Sequence, residues 1–377
     1  MISPTSRVCA STESIARATR SRRFHVGMMT EVSGRMSGMA GDLVKRALYR
    51  SGLLGLYHRL RNRRALTVIM FHRVLTQEDP RWASCDPDYT LEAGLFERCL
   101  DFFRRHYNVV SVDQVMAARR DGTPLPDRPL LITFDDGWAD NHAHALPRLR
   151  AAGLPALLFT VADVVDRDEP FFQERLISAF RRNALRLPAL AQALANAGHP
   201  VEPVPPDNID GLRKLIAALE ALDATQRNQV LAPFAAAMDD GVRQMVTRNE
   251  LRELAAGGIA IGVHGKTHTP MTRAGDLDAE LAAARAIVGG HLDAQPPPTM
   301  SYPHGRYDDH VLERTRAAGY EFAFTSNPVI NPVDGRPGWL LGRLGFEQAG
   351  IVDPEGRFRP DWLGLYLFRA PVRRLAG

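Results

Sequence analysis

The sequence predicts an α/β fold whose parallel strands close into a barrel, and two observations support this. Short apolar runs alternate with helical stretches at a steady pace from residue 65 to residue 346. Strands and helices that alternate in this way form parallel sheets, and about seven units are enough to close such a sheet. In addition, polar side chains follow several runs directly, where the carboxyl ends of barrel strands carry active sites.

The predicted strands share a short and mostly apolar sequence, as expected of strands that are buried on both faces. They cover residues 65–71, 108–110, 130–134, 155–161, 259–263, 299–302, 321–325 and 340–346. The predicted helices lie between these strands and carry a mixed polar and apolar pattern. They cover residues 92–106, 111–119, 140–152, 249–256, 278–291 and 308–318. Gly153 and Gly319 stand where two of these helices are expected to end.

Residues 163–247 interrupt the alternation and are predicted to be a helical insertion. Four helices are expected there, over residues 169–182, 188–197, 208–221 and 224–238. The insertion follows one barrel strand and precedes the helix before the next, so it should overhang the mouth of the barrel. Two hypotheses remain open, namely a lid or binding wall for a long substrate and a packing ornament.

Charge is distributed unevenly along the 377 residues. Residues 1–64 hold twelve arginines and one lysine against three acidic residues, a net charge of +10, whereas the whole chain carries +4. Residues 65–377 are therefore acidic at −6, which argues against a nucleic-acid-binding barrel. The three cysteines, Cys9, Cys85 and Cys99, form neither a disulfide framework nor a metal motif.

The basic N-terminal part divides into two predicted regions. Residues 1–39 are rich in Ser, Thr, Arg and Met without apolar periodicity, and we expect a disordered leader. This leader lacks the apolar core of a secretory signal, and no stretch reaches the ~20 apolar residues of a transmembrane helix. We therefore expect a cytoplasmic protein or one peripheral to the membrane.

Residues 40–64 are predicted to be a basic amphipathic helix, broken near Ser51 and Gly52. Leucines at helical spacing alternate there with arginines and Lys45. Residues 41–64 are thus a candidate for peripheral contact with an anionic membrane surface. The alternative is a helix that packs on the barrel with its basic face in solvent.

Two adjacent carboxylates, Asp135 and Asp136, follow the apolar run 130–134. Successive side chains on a strand point to opposite sides, so both reach one cavity only if the strand has ended and the chain turns at Gly137. Such a pair divides labour well, with one carboxylate on a metal ion and the other left as a base. The alternative is a surface turn, which also favours Asp and Gly.

Two imidazoles, His264 and His268, follow the apolar run 259–263. Histidines four residues apart can bind one metal ion from one face of a helical turn. A zincin helix is excluded because Gly265 occupies the position of its glutamate. The histidines are therefore expected on a loop or first turn just beyond the strand.

These motifs, in this order, resemble the polysaccharide deacetylases with a NodB homology domain, carbohydrate esterase family 4. The T-F-D-D-G motif is found at Thr133–Gly137, and the H-[ST]-x-x-H motif at His264–His268 with Gly265 at the small polar position. A looser match to the Pro-aromatic-Gly motif lies at Ser301–Gly305. The resemblance spans roughly residues 65–345 and implies a distorted (β/α) barrel with fewer than eight strands, with residues 65–377 as the deacetylase barrel.

The resemblance also implies roles for the motif residues. Asp136, His264 and His268 would bind a divalent metal, for which Zn²⁺ is favoured while iron or cobalt also fit. Asp135 would be the general base, and the backbone N–H of His304 would stabilise the oxyanion, because Pro303 has no N–H to offer.

The sequence departs from the family pattern at two positions. Ser301 stands where an arginine often orients the base, and we hypothesise that Arg343 supplies the guanidinium instead. No histidine follows His310, so the general acid of the family's last motif is unassigned. His72 and His304 are candidates for this acid, although His72 can equally be a strand-end histidine satisfied by the backbone.

The first functional hypothesis is a metal-dependent deacetylase that hydrolyses N-acetyl groups of a hexosamine-containing glycan, either a cell-surface glycan or an exopolysaccharide. Alternatives are an O-acetyl esterase on the same scaffold, a degenerate glycan-binding barrel without turnover, and a membrane-surface scaffold that uses residues 41–64. The complete set Asp135, Asp136, His264 and His268 favours catalysis.

Overall fold

The computed structural model describes residues 39–205 and 207–376. The predicted disordered leader, residues 1–39, therefore lies outside the described residues except for its last position.

Twelve strands occur in the described part of the chain, most of them in one large sheet. They are β1 (Ala65–Phe71), β2 (Arg73–Leu75), β3 (Thr90–Glu92), β4 (Asn108–Val109), β5 (Pro129–Phe134), β6 (Ala156–Thr160), β7 (Ile259–Val263), β8 (Thr299–Ser301), β9 (Phe322–Thr325), β10 (Asn331–Pro332), β11 (Leu340–Gly342) and β12 (Leu344–Gly345). The large sheet runs β10-β1-β5-β6-β7-β8-β9-β11, and all of its pairings are parallel except that of β10 with β1.

The α-helices lie between the strands and at both ends of the described chain. They are α1 (Met39–Arg50), α2 (Leu53–Arg61), α3 (Ala93–His106), α4 (Val112–Asp121), α5 (Leu146–Ala152), α6 (Phe172–Arg181), α7 (Leu187–Asn196), α8 (Ile209–Glu220), α9 (Ala224–Leu231), α10 (Ala235–Met238), α11 (Arg248–Ala256), α12 (Ala284–Leu292), α13 (Asp309–Ala317) and α14 (Pro360–Arg369). Two of the predicted helices begin with π-helical turns, at Asn141–Ala145 and Ala279–Ala283.

The last barrel strand is split, and this split brings the two edges of the sheet together. The sequence predicts one strand over residues 340–346, whereas the structure has β11 paired with β9 and β12 paired with β1. Arg343 lies between the two short strands. Leu341 is opposite Phe324 on one edge, and Leu344 is opposite Ile69 on the other. The sheet is thus nearly closed into a distorted barrel, as the family resemblance implies.

Alternation along the strands separates two hydrophobic layers. One layer, which includes Leu66, Leu131, Phe159 and Phe324, packs together with residues of α4. The larger layer, which includes Ile132, packs the other face of the strands against the surrounding helices. Because both faces of the sheet are buried, the strands appear in the sequence as nearly continuous apolar runs.

The helices of the insertion have a hydrophobic core of their own. Leucines and isoleucines of α6 to α8 are fully buried together with Val230 and Met238. Capping fixes where α9 begins, since the Asp223 side chain accepts a hydrogen bond from the backbone N–H of Gln226 and the Gln226 side-chain oxygen accepts one from the backbone N–H of Asp223. The insertion is therefore packed around its own apolar side chains.

The C-terminal helix α14 was not predicted from the sequence, and it is the surface on which α1 and α2 pack. The Asn62 side chain and Arg61 both donate to the carbonyl oxygen of Phe368 at the end of α14. His58 stacks on the Phe368 ring at a centroid distance of 4.0 Å. The break between α1 and α2 is at Gly52, whose φ of 78° requires the left-handed region.

Candidate active site

The two adjacent carboxylates reach the same cavity because β5 ends before them. Leu131, Thr133 and Asp135 share one side of the strand, as period-2 alternation requires. A regular strand would send Asp136 to the opposite side, but its φ of 80° turns the chain instead. Non-glycine residues seldom adopt this conformation, and strain of this kind is concentrated at functional sites.

The Asp136 carboxylate is hydrogen-bonded to Trp138 through one oxygen and faces His264 and His268 with the other. Its Oδ2 accepts a hydrogen bond of 3.0 Å from the indole Nε1 of Trp138. Its Oδ1 is buried without a hydrogen-bond partner and lies 3.4 Å from the Nε2 atoms of both His264 and His268. This oxygen therefore faces the two imidazoles across a short gap.

His264 follows β7 and is fixed in one tautomer. Its Nδ1 lies 2.9 Å from the backbone carbonyl oxygen of Ser301, so Nδ1 carries the proton and donates it. Nε2 consequently faces Asp136, and in the neutral imidazole its lone pair is directed toward that carboxylate. Donation of the other ring N–H to a carbonyl is the usual way in which proteins orient a metal-binding histidine.

The loop that carries His268 is clamped by a carboxylate that sequence reasoning missed. Glu280 is buried and accepts hydrogen bonds from the backbone N–H groups of Lys266 and Thr267, and also from the Thr267 hydroxyl. His268 has a φ of 64° and its ring stacks on Phe171 at 4.1 Å. Nothing local marks Glu280 in the sequence, because its role depends on contacts with a loop 14 residues away.

The one carboxylate and two imidazole donors, and the distances between them, fit a tetrahedrally coordinated metal ion. One ligand atom from each of Asp136, His264 and His268 lies within 4.8 Å of the others. Two ligands bound tetrahedrally to zinc at ~2.0–2.1 Å are separated by about 3.4 Å, which is the Asp136-to-imidazole distance here. The buried Oδ1 of Asp136, which lacks a hydrogen-bond donor, is the feature that such an ion would satisfy.

Asp135 lies beside this cluster and has different partners. The guanidinium of Arg343 donates to both of its oxygens at 2.7 Å, and Arg343 also donates to the Ser301 hydroxyl at 2.7 Å. The Asp135 Oδ2 lies 4.0 Å from His264 Nε2, farther than Asp136. The residue that closes the barrel thus holds Asp135, and Ser301 contacts the same guanidinium.

Protonation of these groups follows from burial and from their neighbours. Burial raises the pKa of Asp135, but the charges of Arg343 and His264 more than offset this and place the pKa below its usual value. The pKa of Asp136 is also lowered, since the nearby imidazoles outweigh its burial. Burial lowers the pKa of His268 well below its usual value. At neutral pH both carboxylates are therefore ionised and His268 is neutral.

The two histidines considered as general acids both line the cavity but have different surroundings. The His72 ring packs edge-on against Tyr89 at 4.8 Å, and burial lowers its pKa. The His304 ring lies 4.7 Å from that of His268, and its Nδ1 is 3.9 Å from a carboxylate oxygen of Glu220. Glu220 belongs to α8 of the insertion, so its position beside the site was invisible to sequence patterns.

The cavity above the cluster has a volume of about 2300 Å³. This exceeds the ~300–1,000 Å³ typical of sites for small ligands. Helices α6 and α8 of the insertion form part of its wall through Ile177, Arg213, Ile216 and Glu220. An extended ligand therefore fits the dimensions of this cleft better than a single small molecule.

The fold and the cluster are those of a barrel hydrolase with its polar residues at the carboxyl ends of the strands. The model of the polysaccharide deacetylase family matches residues 122–203 and 216–323, about half of the chain. The chain belongs to the polysaccharide deacetylase family.

Individual relatives agree with this assignment. A poly-beta-1,6-N-acetyl-D-glucosamine N-deacetylase of Escherichia coli (strain K12) is 38% identical over 60 residues, which is 16% of this chain. The matched segment spans only 9% of that protein. Among solved structures, the Streptococcus pyogenes deacetylase PplD in complex with acetate has a TM-score of 0.51 at 15% identity, covering 81% of this chain and 99% of that chain. IcaB from Ammonifex degensii has a TM-score of 0.50 at 18% identity, with 81% and 97% covered. The two structures share the fold of this chain.

Proposed function

We propose that this protein is a metal-dependent deacetylase that hydrolyses the N-acetyl groups of a hexosamine-containing glycan. The observation that carries the proposal is the approach of Asp136 Oδ1 to within 3.4 Å of both imidazoles, with Asp135 beside them but held by Arg343. Three ligands and one separate base are the parts that metal-assisted hydrolysis of an acyl group uses.

Each residue has a distinct part in this proposal. A divalent ion on Asp136, His264 and His268, with Zn²⁺ favoured, would polarise the acyl carbonyl and make a bound water more acidic. Asp135 is ionised and retains lone pairs beyond its two bonds to Arg343, so it accepts the proton of the attacking water.

The remaining steps concern the developing negative charge and the leaving amine. The backbone N–H of His304 would stabilise the oxyanion. The amine takes up a proton as the carbon–nitrogen bond breaks, and the imidazoles of His72 and His304 in the cavity wall are the candidates to pass it the proton that Asp135 took from water.

The glycan is proposed to be a polymer, because the cleft is large and the insertion extends its wall. Oligomers of β-1,6-linked N-acetylglucosamine are the first substrates to test, since the Escherichia coli relative is named for that polymer. β-1,4-Linked oligomers of the same sugar and O-acetylated xylan oligomers serve as comparisons.

The test is acetate release by the purified protein from these three substrates. Release is measured without treatment, with a chelator, and after zinc has been added back to the chelated protein. We expect release from at least one N-acetylated oligomer, loss of that release with chelator, and recovery with zinc. Release from O-acetylated oligomers alone would make the protein an esterase. Tight glycan binding without any acetate would instead favour the degenerate binding barrel.

A further inference from the structure

Helices α1 and α2 present an apolar face that the protein itself does not cover. Within residues 39–205 and 207–376, seven of the nine large apolar side chains that are strongly exposed lie on these two helices. Leu60 is 74% exposed and Leu43 is 66% exposed. We call this set the α1–α2 apolar face, and it consists of Leu43, Val44, Leu48, Leu53, Leu56, Tyr57 and Leu60.

Helical spacing places these side chains on the side that points away from the protein. Residues 53, 56, 57 and 60 follow the i, i+3, i+4, i+7 pattern of one helix face. On the opposite side of α2, Leu54 and His58 are buried, and His58 stacks on Phe368 of α14. The inner side of α2 thus packs against the rest of the protein. The apolar residues on the outer side take no part in that packing and remain exposed.

Arginines border this face and greatly outnumber the acidic groups beside them, of which Asp127 pairs with Arg63 at 3.0 Å. Exposed arginines lie at positions 46, 50, 59, 61, 63 and 64. The sole acidic residue between positions 39 and 64 is Asp42, which forms ion pairs with Arg359 at 3.0 Å and Lys45 at 3.5 Å. The surface therefore combines exposed leucines with a strongly positive surround.

We propose that the α1–α2 apolar face lies on an anionic lipid bilayer, with the two helices parallel to its surface. Leucine side chains enter the boundary between headgroups and acyl chains, while the bordering guanidinium groups contact lipid phosphates. None of the helices in the described part of the chain has the length and apolarity to cross a bilayer, so contact is at the surface.

Charge favours a bilayer over two other partners for the α1–α2 apolar face, namely a second copy of the chain and the segment 1–38. A second copy of the chain would bring two strongly positive surfaces together, and like charges across an interface are costly. Residues 1–38 hold six arginines against two glutamates, so this segment is also repelled. An anionic bilayer is complementary both to the leucines and to the arginines.

The experiment is cosedimentation of the full chain with vesicles of phosphatidylglycerol and phosphatidylcholine, compared with vesicles of phosphatidylcholine alone. We expect much tighter partitioning into the anionic vesicles and weakening with added salt. Replacing one bordering arginine by glutamine should weaken partitioning about fivefold, and replacing three about a hundredfold. The three arginines to replace are Arg46, Arg50 and Arg59.

Apolar variants with a matched control complete the test. The triple substitution Leu43→Gln, Leu56→Gln and Leu60→Gln should weaken partitioning at least a hundredfold. Val372→Gln removes an exposed apolar side chain outside the face, and Arg186→Gln removes an exposed arginine of the insertion, and neither should change partitioning. Melting temperatures of all variants should match that of the parent, because each altered side chain is exposed.

Three results would overturn the inference. The first is equal partitioning into neutral and anionic vesicles. The second is full binding by the triple leucine variant, which would assign the contact to another segment such as residues 1–38. The third is a lipid-free dimer, detected by light scattering, that the leucine substitutions dissociate. The proposed catalytic activity is not required for any of these measurements.

Discussion

Arg343 donates one hydrogen bond of 2.7 Å to each carboxylate oxygen of Asp135, and both side chains are buried. The two residues are 208 positions apart in the chain. A buried, paired carboxylate of this kind depends on its cation both for its charge and for its orientation.

Removal of that cation should therefore affect stability as well as activity. We expect Arg343→Gln to lower the free energy of unfolding by ~3–5 kcal/mol, the usual cost of leaving a buried charge unpaired. The pKa of Asp135 should rise, so the acidic limb of the pH–rate profile should shift to higher pH. Urea unfolding and acetate release across pH measure the two effects.

The control for this variant is Arg120→Gln, which breaks an exposed ion pair with Glu321 and should cost at most ~1 kcal/mol. If Arg343→Gln were no less stable than Arg120→Gln, the pairing with Asp135 would contribute nothing measurable to the fold.

The metal ligands form a second prediction. Asp136→Ala, His264→Ala and His268→Ala should each lower the zinc content of the purified protein and abolish acetate release, because each removes one of three protein ligands. Metal content is measured by mass spectrometry, and His310→Ala, which changes an exposed histidine, is the control. Full zinc occupancy in His268→Ala would remove that residue from the site.

Asp135 should behave differently from its neighbour. Asp135→Asn keeps the shape of the side chain and leaves the three ligands untouched, so zinc should be retained. Activity should fall by ~10²- to 10⁴-fold, the typical contribution of general base catalysis. Zinc content and kcat are to be measured on one preparation, because parallel loss of both would make Asp135 a ligand.

Gly137 gives a prediction about the turn that positions both carboxylates. Its φ is 90°, and an added Cβ would lie 2.4 Å from the Oγ1 atom of Thr160. Gly137→Ala should therefore destabilise the protein by more than the ~1–2 kcal/mol of left-handed backbone strain and should also reduce zinc content.

Gly335→Ala isolates the backbone contribution, since Gly335 has a φ of 83° and nothing within 4 Å of an added Cβ. Thermal unfolding should be measured for both variants and for the double variant Gly137→Ala/Thr160→Ala. The comparison separates the cost of left-handed backbone strain from the cost of the steric clash with Thr160. Equal destabilisation at the two glycines would mean that the contact with Thr160 is of no consequence.

His58 leads to a prediction about pH. Burial lowers the pKa of His58 to about 3, whereas an unfolded chain has a histidine pKa of ~6.5. Its contribution to stability is therefore fully present above pH ~6.5 and is lost as the pH falls from there toward 3, because only the unfolded state binds the proton.

The loss due to His58 should reach ~2 kcal/mol at pH 5. His58→Gln should make the unfolding free energy depend less steeply on pH between 6.5 and 4, while the exposed His310→Gln should not. An unchanged slope in His58→Gln would show that this imidazole is accessible to protons in the folded protein.

The barrel strands and most helices were predictable because burial on both faces makes the strands visible as apolar runs. Helix α14 was not predicted, because its sequence after Pro360 is apolar on nearly all sides and shows no helical periodicity. It also contains Gly364, which is unfavourable within a helix. Leu54 of α2 packs on α14 beside Gly364, where an added Cβ would lie 3.4 Å from its side chain, an ordinary contact distance. This contact is tertiary, and no local sequence pattern indicates it.

The sequence singled out Asp135, Asp136 and His264 because they follow strand ends, and the structure brings these side chains close together, while their roles stay predictions. Glu220 and Glu280 were not found, since they lie on helices and reach the site only through tertiary packing. The sequence could suggest Arg343 only as a hypothesis, because the split between β11 and β12 that positions it depends on both edges of the sheet.

The split strand also fixes an order of events during synthesis. A ribosome delivers Asp135, Asp136, His264 and His268 well before it delivers Arg343, and contacts so distant in sequence form late. A nascent chain that ends before residue 343 has neither the strand that joins the two edges of the sheet nor the cation that pairs with Asp135. The pairing of the two sheet edges and the contact between Arg343 and Asp135 therefore depend on the same few residues, which are synthesised late.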